Sequence, residues 1–217
     1  MERKAAERAG PASDAPATRI QGINRALILE AALAVFSAHG FRGSTVDEIA
    51  AKAGMSKPNL LYYFRRKQDI YEAVLEDTLR EWLIPLEELD ADGDPADELA
   101  RYVTRKLALS AERPEASRLF VNEILAGALV IGPFLETTLR ELVLLKAAVL
   151  GEWMRQGRLA PVDPVHLLFA IWATTQHYAD FDTQIRAILG PGTAQPAFRT
   201  EASQAVLSII LDGVRPR

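Results

Sequence analysis

The chain contains no cysteine among its 217 residues, which excludes a disulfide framework and any thiolate metal site. Histidine is almost as scarce. His39, His166 and His177 are the whole set, and although Asp180 and Asp182 follow the last of them, three scattered imidazoles make no dense ligand set, so no metal is expected. No uninterrupted apolar run reaches the roughly 18 residues that a membrane span needs, and the opening "MERKAAERAGPASDAPATRI" has no apolar segment of the secretory type. A soluble cytoplasmic protein with no membrane partner is therefore expected. A nucleophile–base pairing and a Gly-rich phosphate loop are also missing, so neither an enzyme nor a cofactor is expected.

What the chain does have is enough apolar residues, 49% of the total, to build a core, and an uneven charge. Residues 1–67 carry 11 Lys/Arg against 6 Asp/Glu, a balance of +5, whereas residues 68–217 carry 14 against 23, a balance of −9, which together give the net −4. A basic end on an acidic body suits a polyanionic partner at that end only; the plainer alternative is chance clustering on a solvated face.

The periodicity is helical nearly throughout, and no segment shows the period-two alternation of a strand, so an all-α fold is expected. Residues 1–19, rich in Ala, Pro and charge, read as a disordered arm. Leu27, Ala31 and Val35, with Ile28, Ala32 and Phe36 alongside, form a first helix that stops at "HGFRG". Thr45 and Glu48 make a T-x-x-E capping box for a short second helix closed by Gly54, and Ser56 caps a third with Pro58 in its first turn. A fourth helix is expected over about 68–89. Further helices are expected over about 95–111, 115–130, 134–156, 164–189 and 199–213, with breaks at "ERPE", "IGP", "GRLAPVDP" and "GPGTAQP".

Two short helices separated by a Gly-containing turn are the helix-turn-helix spacing. On the second of them, in "GMSKPNLLYYFRRKQ" (54–68), Leu60 and Phe64 fall on one edge as core, which turns Tyr62 outward with Pro58 and Asn59 beside it. With Lys57 at its start, such a face suits a major groove, where Asn bonds base edges and Tyr reaches phosphate or a thymine methyl. Lys67, Arg65, Arg66 and Thr45 can add phosphate contacts.

On the helix near 164–181, Leu168, Trp172, Thr175, Gln176 and Ala179 share a face. The polar side chains on this stripe admit two readings. Either a neighbouring helix satisfies Gln176, or Gln176 offers a donor–acceptor pair to a planar amide-like ring on which Trp172 stacks. Trp82, Arg118 and Asn122 are further effector candidates. The last helix carries Ala202, Val206, Ile209, Ile210 and Gly213 on an apolar face that a lone protomer would leave uncovered.

The string "TVDEIAAKAGMSKPNLLYYFRRKQDIYEAVL" resembles the DNA-binding region of TetR-family transcriptional regulators. Thr45, Ile49, Ala50, Gly54, Met55, Ser56, Leu60, Tyr63, Phe64 and Lys67 match that family's pattern in order and spacing; Leu61 departs from it, standing where tyrosine is usual. The resemblance implies a TetR-like fold, with a three-helix helix-turn-helix domain over 20–67 and an effector-binding and dimerisation bundle over 68–217. It also implies a DNA-facing set of Thr45, Ser56, Lys57, Pro58, Asn59, Tyr62, Tyr63 and Lys67, in which Tyr63 serves either phosphate or core. The implied partners are a double-stranded operator, a small-molecule effector and a second copy of the chain, joined through the last two helices. "EASRLF", "NEILAGA", "GRLAPVDPVHLLFAIWATTQHYADF" and the terminal "GVRPR" are similar to the RutR-like pyrimidine-utilisation subgroup, which implies uracil or thymine as effector.

Overall fold

A computed structural model describes residues 15–216. Eleven α-helices are present among them, and no strand. The first four are α1 (Ala15–Gly43), α2 (Val46–Lys52), α3 (Lys57–Tyr63) and α4 (Lys67–Glu87). The arm expected over 1–19 is therefore shorter than its composition suggested: 15–19 already belong to α1, and 1–14 lie outside the described residues. α1 is broken at Gly40, whose φ of 67° is the left-handed value that glycine adopts without a Cβ penalty. That kink is the physical form of the stop at "HGFRG".

The later helices are α5 (Pro95–Glu112), α6 (Pro114–Leu125), α7 (Gly132–Phe134), a π-helical segment Leu135–Leu139, α8 (Arg140–Arg155), α9 (Pro164–Asp180), α10 (Asp182–Leu189), a 3-10 turn Pro191–Ala194 and α11 (Pro196–Val214). Two expectations are corrected here. The helix expected over 164–189 breaks at Phe181 into α9 and α10. The helix expected over 115–130 ends at Leu125, because Gly127 and Ala128 both take positive φ, 97° and 53°. Glu123 holds that turn: its carbonyl accepts from the Ala128 N–H at 2.8 Å, and its carboxylate from the Val130 N–H at 2.7 Å.

Two hydrophobic cores result, and α4 belongs to both. The first joins Ile28, Ala32 and Phe36 of α1 with Ile49, Leu60 and Phe64, and continues through Ile70–Leu83 of α4 to Ala116 and Leu119 of α6. The second packs Leu86 and Leu89 against Leu99, Val103, Leu150, Trp153, Leu168, Ile171 and Val206. The head's core is closed by α4 and α6, so the packing runs on across residue 67. α1, over Arg19–Gly43, is long and apolar enough by composition to span a bilayer, but its Ile28, Ala32 and Phe36 are fully buried within the protein.

Candidate nucleic-acid interface and effector region

The helix-turn-helix head is built by local hydrogen bonds. The Thr45 hydroxyl accepts from the Glu48 N–H at 3.2 Å while the Glu48 carboxylate accepts from the Thr45 N–H at 2.8 Å, the reciprocal capping box that satisfies two otherwise unpaired donors. The Thr45 side chain and backbone together hold the Glu48 carboxyl below its ordinary range. Gly54, with φ 68°, makes the turn; the Met55 N–H then bonds Ala50 at 3.0 Å, and Ser56 caps α3. Leu60 and Phe64 are buried, while Ser56, Lys57, Pro58, Asn59 and Tyr62 are exposed, Tyr62 at 72%. One edge of α3 is core and the other is free.

Lys57 pairs with Asp47 at 2.9 Å; an exposed pair of this kind contributes about 0–1 kcal/mol, so a phosphate can displace the carboxylate. Tyr63 is half-buried, and its hydroxyl accepts from Asn24 of α1 at 2.8 Å; its ring meets Tyr62 edge-on at 5.3 Å. It therefore braces the exposed Tyr62 ring from the protein side. Lys67 departs from the expected role. Its ammonium bonds the carbonyls of Phe41 at 2.6 Å and Ser44 at 2.7 Å and lies over the Phe41 ring. Placed at the first turn of α4, it clamps the end of α1, with its donors engaged inside the protein. Arg66 is turned back onto Asp69, which leaves Arg65 as the exposed charge at this corner without an ion pair among the described residues.

The proposed effector residues do not gather in one place. Arg118 and Thr175 line a cavity of about 370 Å³ between α5, α6, α9, α10 and α11. Trp82, Trp172 and Gln176 lie elsewhere, and Asn122 is exposed. The reason for Asn122 is the register of α6, whose buried stripe of Ala116, Leu119 and Glu123 turns Asn122 and Arg118 away from the core. The Thr175 hydroxyl, fully buried, donates to the Ile171 carbonyl at 2.8 Å.

Trp82 is 3% exposed, and its indole N–H is the one fully buried side-chain polar group without a hydrogen-bond partner among the described residues. Phe120 packs edge-on against it, and the Lys106 ammonium lies 5.1 Å from its ring centroid. One turn back on α5, the Tyr102 hydroxyl accepts from the Trp172 indole at 2.6 Å, and Gln176 follows one turn further along α9, half-buried.

Lys106, Tyr102 and Asp180 were not among the effector candidates. Lys106 is buried, and that burial pulls its ammonium down to about 8; Asp180 acts against the shift. Asp180 is itself pushed up by burial and accepts a hydrogen bond from Ser117 of α6. The far end of α6 is tied to α4, where the Tyr71 hydroxyl donates to the Glu123 carboxylate at 3.1 Å. α6 therefore connects the polar cluster to the helix that closes the reading head. Tyr71 packs on Phe36 and Phe41 of α1, and burial beside Glu123 raises its hydroxyl well above the ordinary phenol range.

Residues 28–74 match the family description "Bacterial regulatory proteins, tetR family", and residues 75–217 match "YcdC-like protein, C-terminal region". The HTH-type transcriptional regulator RutR of Escherichia coli (strain K12) is 43% identical over 200 residues, covering 92% of this chain and 94% of that protein. The HTH-type transcriptional repressor SCO4008 of Streptomyces coelicolor is 27% identical over 81% of this chain and 88% of its own length. Among solved structures, a putative transcriptional regulator of Streptomyces coelicolor, SCO4942, aligns with TM-score 0.69 and 30% identity over 89% of this chain and 99% of that one. The ketosteroid regulator KstR2 of Mycobacterium tuberculosis aligns with TM-score 0.69 and 20% identity over 89% and 95%, a likeness of fold. With its helix-turn-helix head, helical body and matches along nearly its whole length, the chain belongs to the TetR family of bacterial DNA-binding transcriptional regulators.

Proposed function

We propose that the protein is a cytoplasmic, dimeric repressor that leaves its operator when a small planar effector, a pyrimidine base such as uracil or thymine, enters the region around Trp82. The observation that carries this reading is the unpartnered Trp82 indole N–H beside the buried Lys106 ammonium. A buried donor without an acceptor costs about 1–3 kcal/mol, and a pyrimidine base offers two carbonyl acceptors on a flat ring that an indole can stack on. Gln176, one turn beyond Trp172 on α9, offers a donor–acceptor pair of the kind that the ring's N–H and C=O edge would take. The 43% identity to RutR favours this subgroup over a regulator sensing another planar or hydrophobic molecule.

Dimerisation is assigned to α9 and α11. Ala202, Val206 and Ile210 of the expected apolar face are used inside the protomer, whereas Ile209 (67% exposed) and Phe169 of α9 (48% exposed) stay uncovered for a second copy. Twofold pairing sets the two α3 helices one duplex turn apart, about 34 Å or a multiple, to enter successive major grooves. An effector that binds one arrangement of α6 better shifts α4 through the Glu123–Tyr71 bond and changes that spacing.

The test is anisotropy of a labelled duplex, selected by the protein from a random pool, titrated with uracil and with thymine. Release of bound duplex is expected. Intact DNA binding that ignores both bases would remove the pyrimidine reading and leave the operator reading in place.

A further inference from the structure

The 370 Å³ cavity between α5, α6, α9, α10 and α11 lies apart from Trp82 and has its own chemistry. Its volume is in the range of small-molecule sites. Leu107, Ile185 and Phe198 supply apolar wall, and the Tyr178 ring packs on Phe198 at 6.1 Å. Three guanidiniums line it, Arg118, Arg186 and Arg199, against one carboxylate, Asp182. Asp182 is already engaged by Arg186 at 2.8 Å. Arg118 and Arg199, on two different helices, have no ion-pair partner within 4.0 Å among the described residues. Two such charges ordinarily hydrate independently at a surface; here both line one cavity that also has apolar wall, a lining that suits a charged headgroup and an apolar body together.

We propose that this cavity is a second small-molecule site, which takes an apolar body of about a dozen non-hydrogen atoms ending in a carboxylate held between Arg118 and Arg199. The carboxylate accepts from the two guanidinium forks, and the chain or ring lies against Phe198, Tyr178 and Ile185. Arg118 stands on α6, the helix whose other end meets Tyr71 of α4, so the charge of an occupant acts on the same connection as an effector at Trp82. The site does not depend on the pyrimidine reading.

The experiment is thermal unfolding of the full chain with 4-phenylbutyrate, with the matched alcohol 4-phenylbutan-1-ol, and with uracil. It is run on the wild type and on the Arg118→Gln/Arg199→Gln double variant; both arginines are exposed, so the fold survives their removal. The acid is expected to raise the wild-type Tm with an apparent Kd about tenfold or more below that of the alcohol, and the double variant is expected to bind acid and alcohol alike. The single Arg199→Gln variant, which keeps the effector candidate Arg118, should retain the wild type's uracil response. Equal affinities of acid and alcohol for the wild type, an undiminished acid response in the double variant, or no response to the acid up to about 10 mM would each overturn the proposal. A wild type that responds to the acid but not to uracil would instead count against the pyrimidine reading and leave this site in place.

Discussion

The two ends of this molecule treat their polar groups in opposite ways. In the reading head the polar groups that shape the turn have partners close by: Thr45 with Glu48, Ser56 with the Asn59 N–H, Tyr63 with Asn24, and Lys67 with two carbonyls at the end of α1. In the body an indole N–H is buried without a partner, a lysine is buried beside it, and a lined cavity stands open. A satisfied network rigidifies the part that carries it. Unsatisfied groups raise the free energy of the empty state and favour whatever supplies their partners. The difference teaches that the head is held rigid by its own hydrogen bonds, whereas the body keeps polar groups and a cavity that a ligand could fill.

The strongest break of this comparison is Lys67→Met. As a clamp, Lys67 contributes about 2–3 kcal/mol through charged hydrogen bonds, so its loss should lower Tm by several degrees and reduce DNA affinity without changing the salt slope. A phosphate contact would show the reverse, an unchanged Tm and a log–log salt slope smaller by about 0.9. Next in size, Tyr62→Ala or Lys57→Ala should weaken operator binding by about 1–3 kcal/mol while Tm and the uracil response hold, as measured by gel-shift titration and thermal unfolding. Unchanged affinity in both variants would place the reading face elsewhere.

Trp82→Phe sharpens the contrast from the other end. Removing a donor that has no partner should leave the free protein within about 1 kcal/mol of the wild type while the thermal shift caused by uracil disappears. The smallest effect is on pH. Unfolded Lys106 keeps its proton to about 10.5, and the folded residue releases it near 8. Between those values the unfolded state holds more protons, so stability rises with pH. The Tm difference between wild type and Lys106→Met should therefore grow in favour of the wild type from pH 8 to pH 10, and a flat difference would show that Lys106 is not buried as described.

These outcomes also bear on what could be read from sequence. The capping box at Thr45, the Ser56 cap and the split faces of α3 were legible because each is decided within four residues. The Lys67 clamp spans 26 positions to Phe41, and the Tyr71–Glu123 bond spans 52, distances at which periodicity carries no pairing information. Lys106 did leave a trace. It falls on the buried stripe of α5 with Leu99, Tyr102, Val103 and Ser110, so a cation at a core register was visible, though its neighbour Trp82 was not. The exposure of Asn122 was not legible, because it follows from the register of the buried stripe on α6.

The central claim is that α3 enters duplex DNA through Asn59 and Tyr62, one copy in each half of a symmetric site. It is tested most directly by the salt dependence of anisotropy for the selected duplex and a scrambled one, using wild type and the Asn59→Ala/Tyr62→Ala variant. The account predicts tight, sequence-selective wild-type binding that falls steeply with salt, and a variant that binds both duplexes equally and weakly at the same Tm. A variant that still prefers the selected duplex would contradict it.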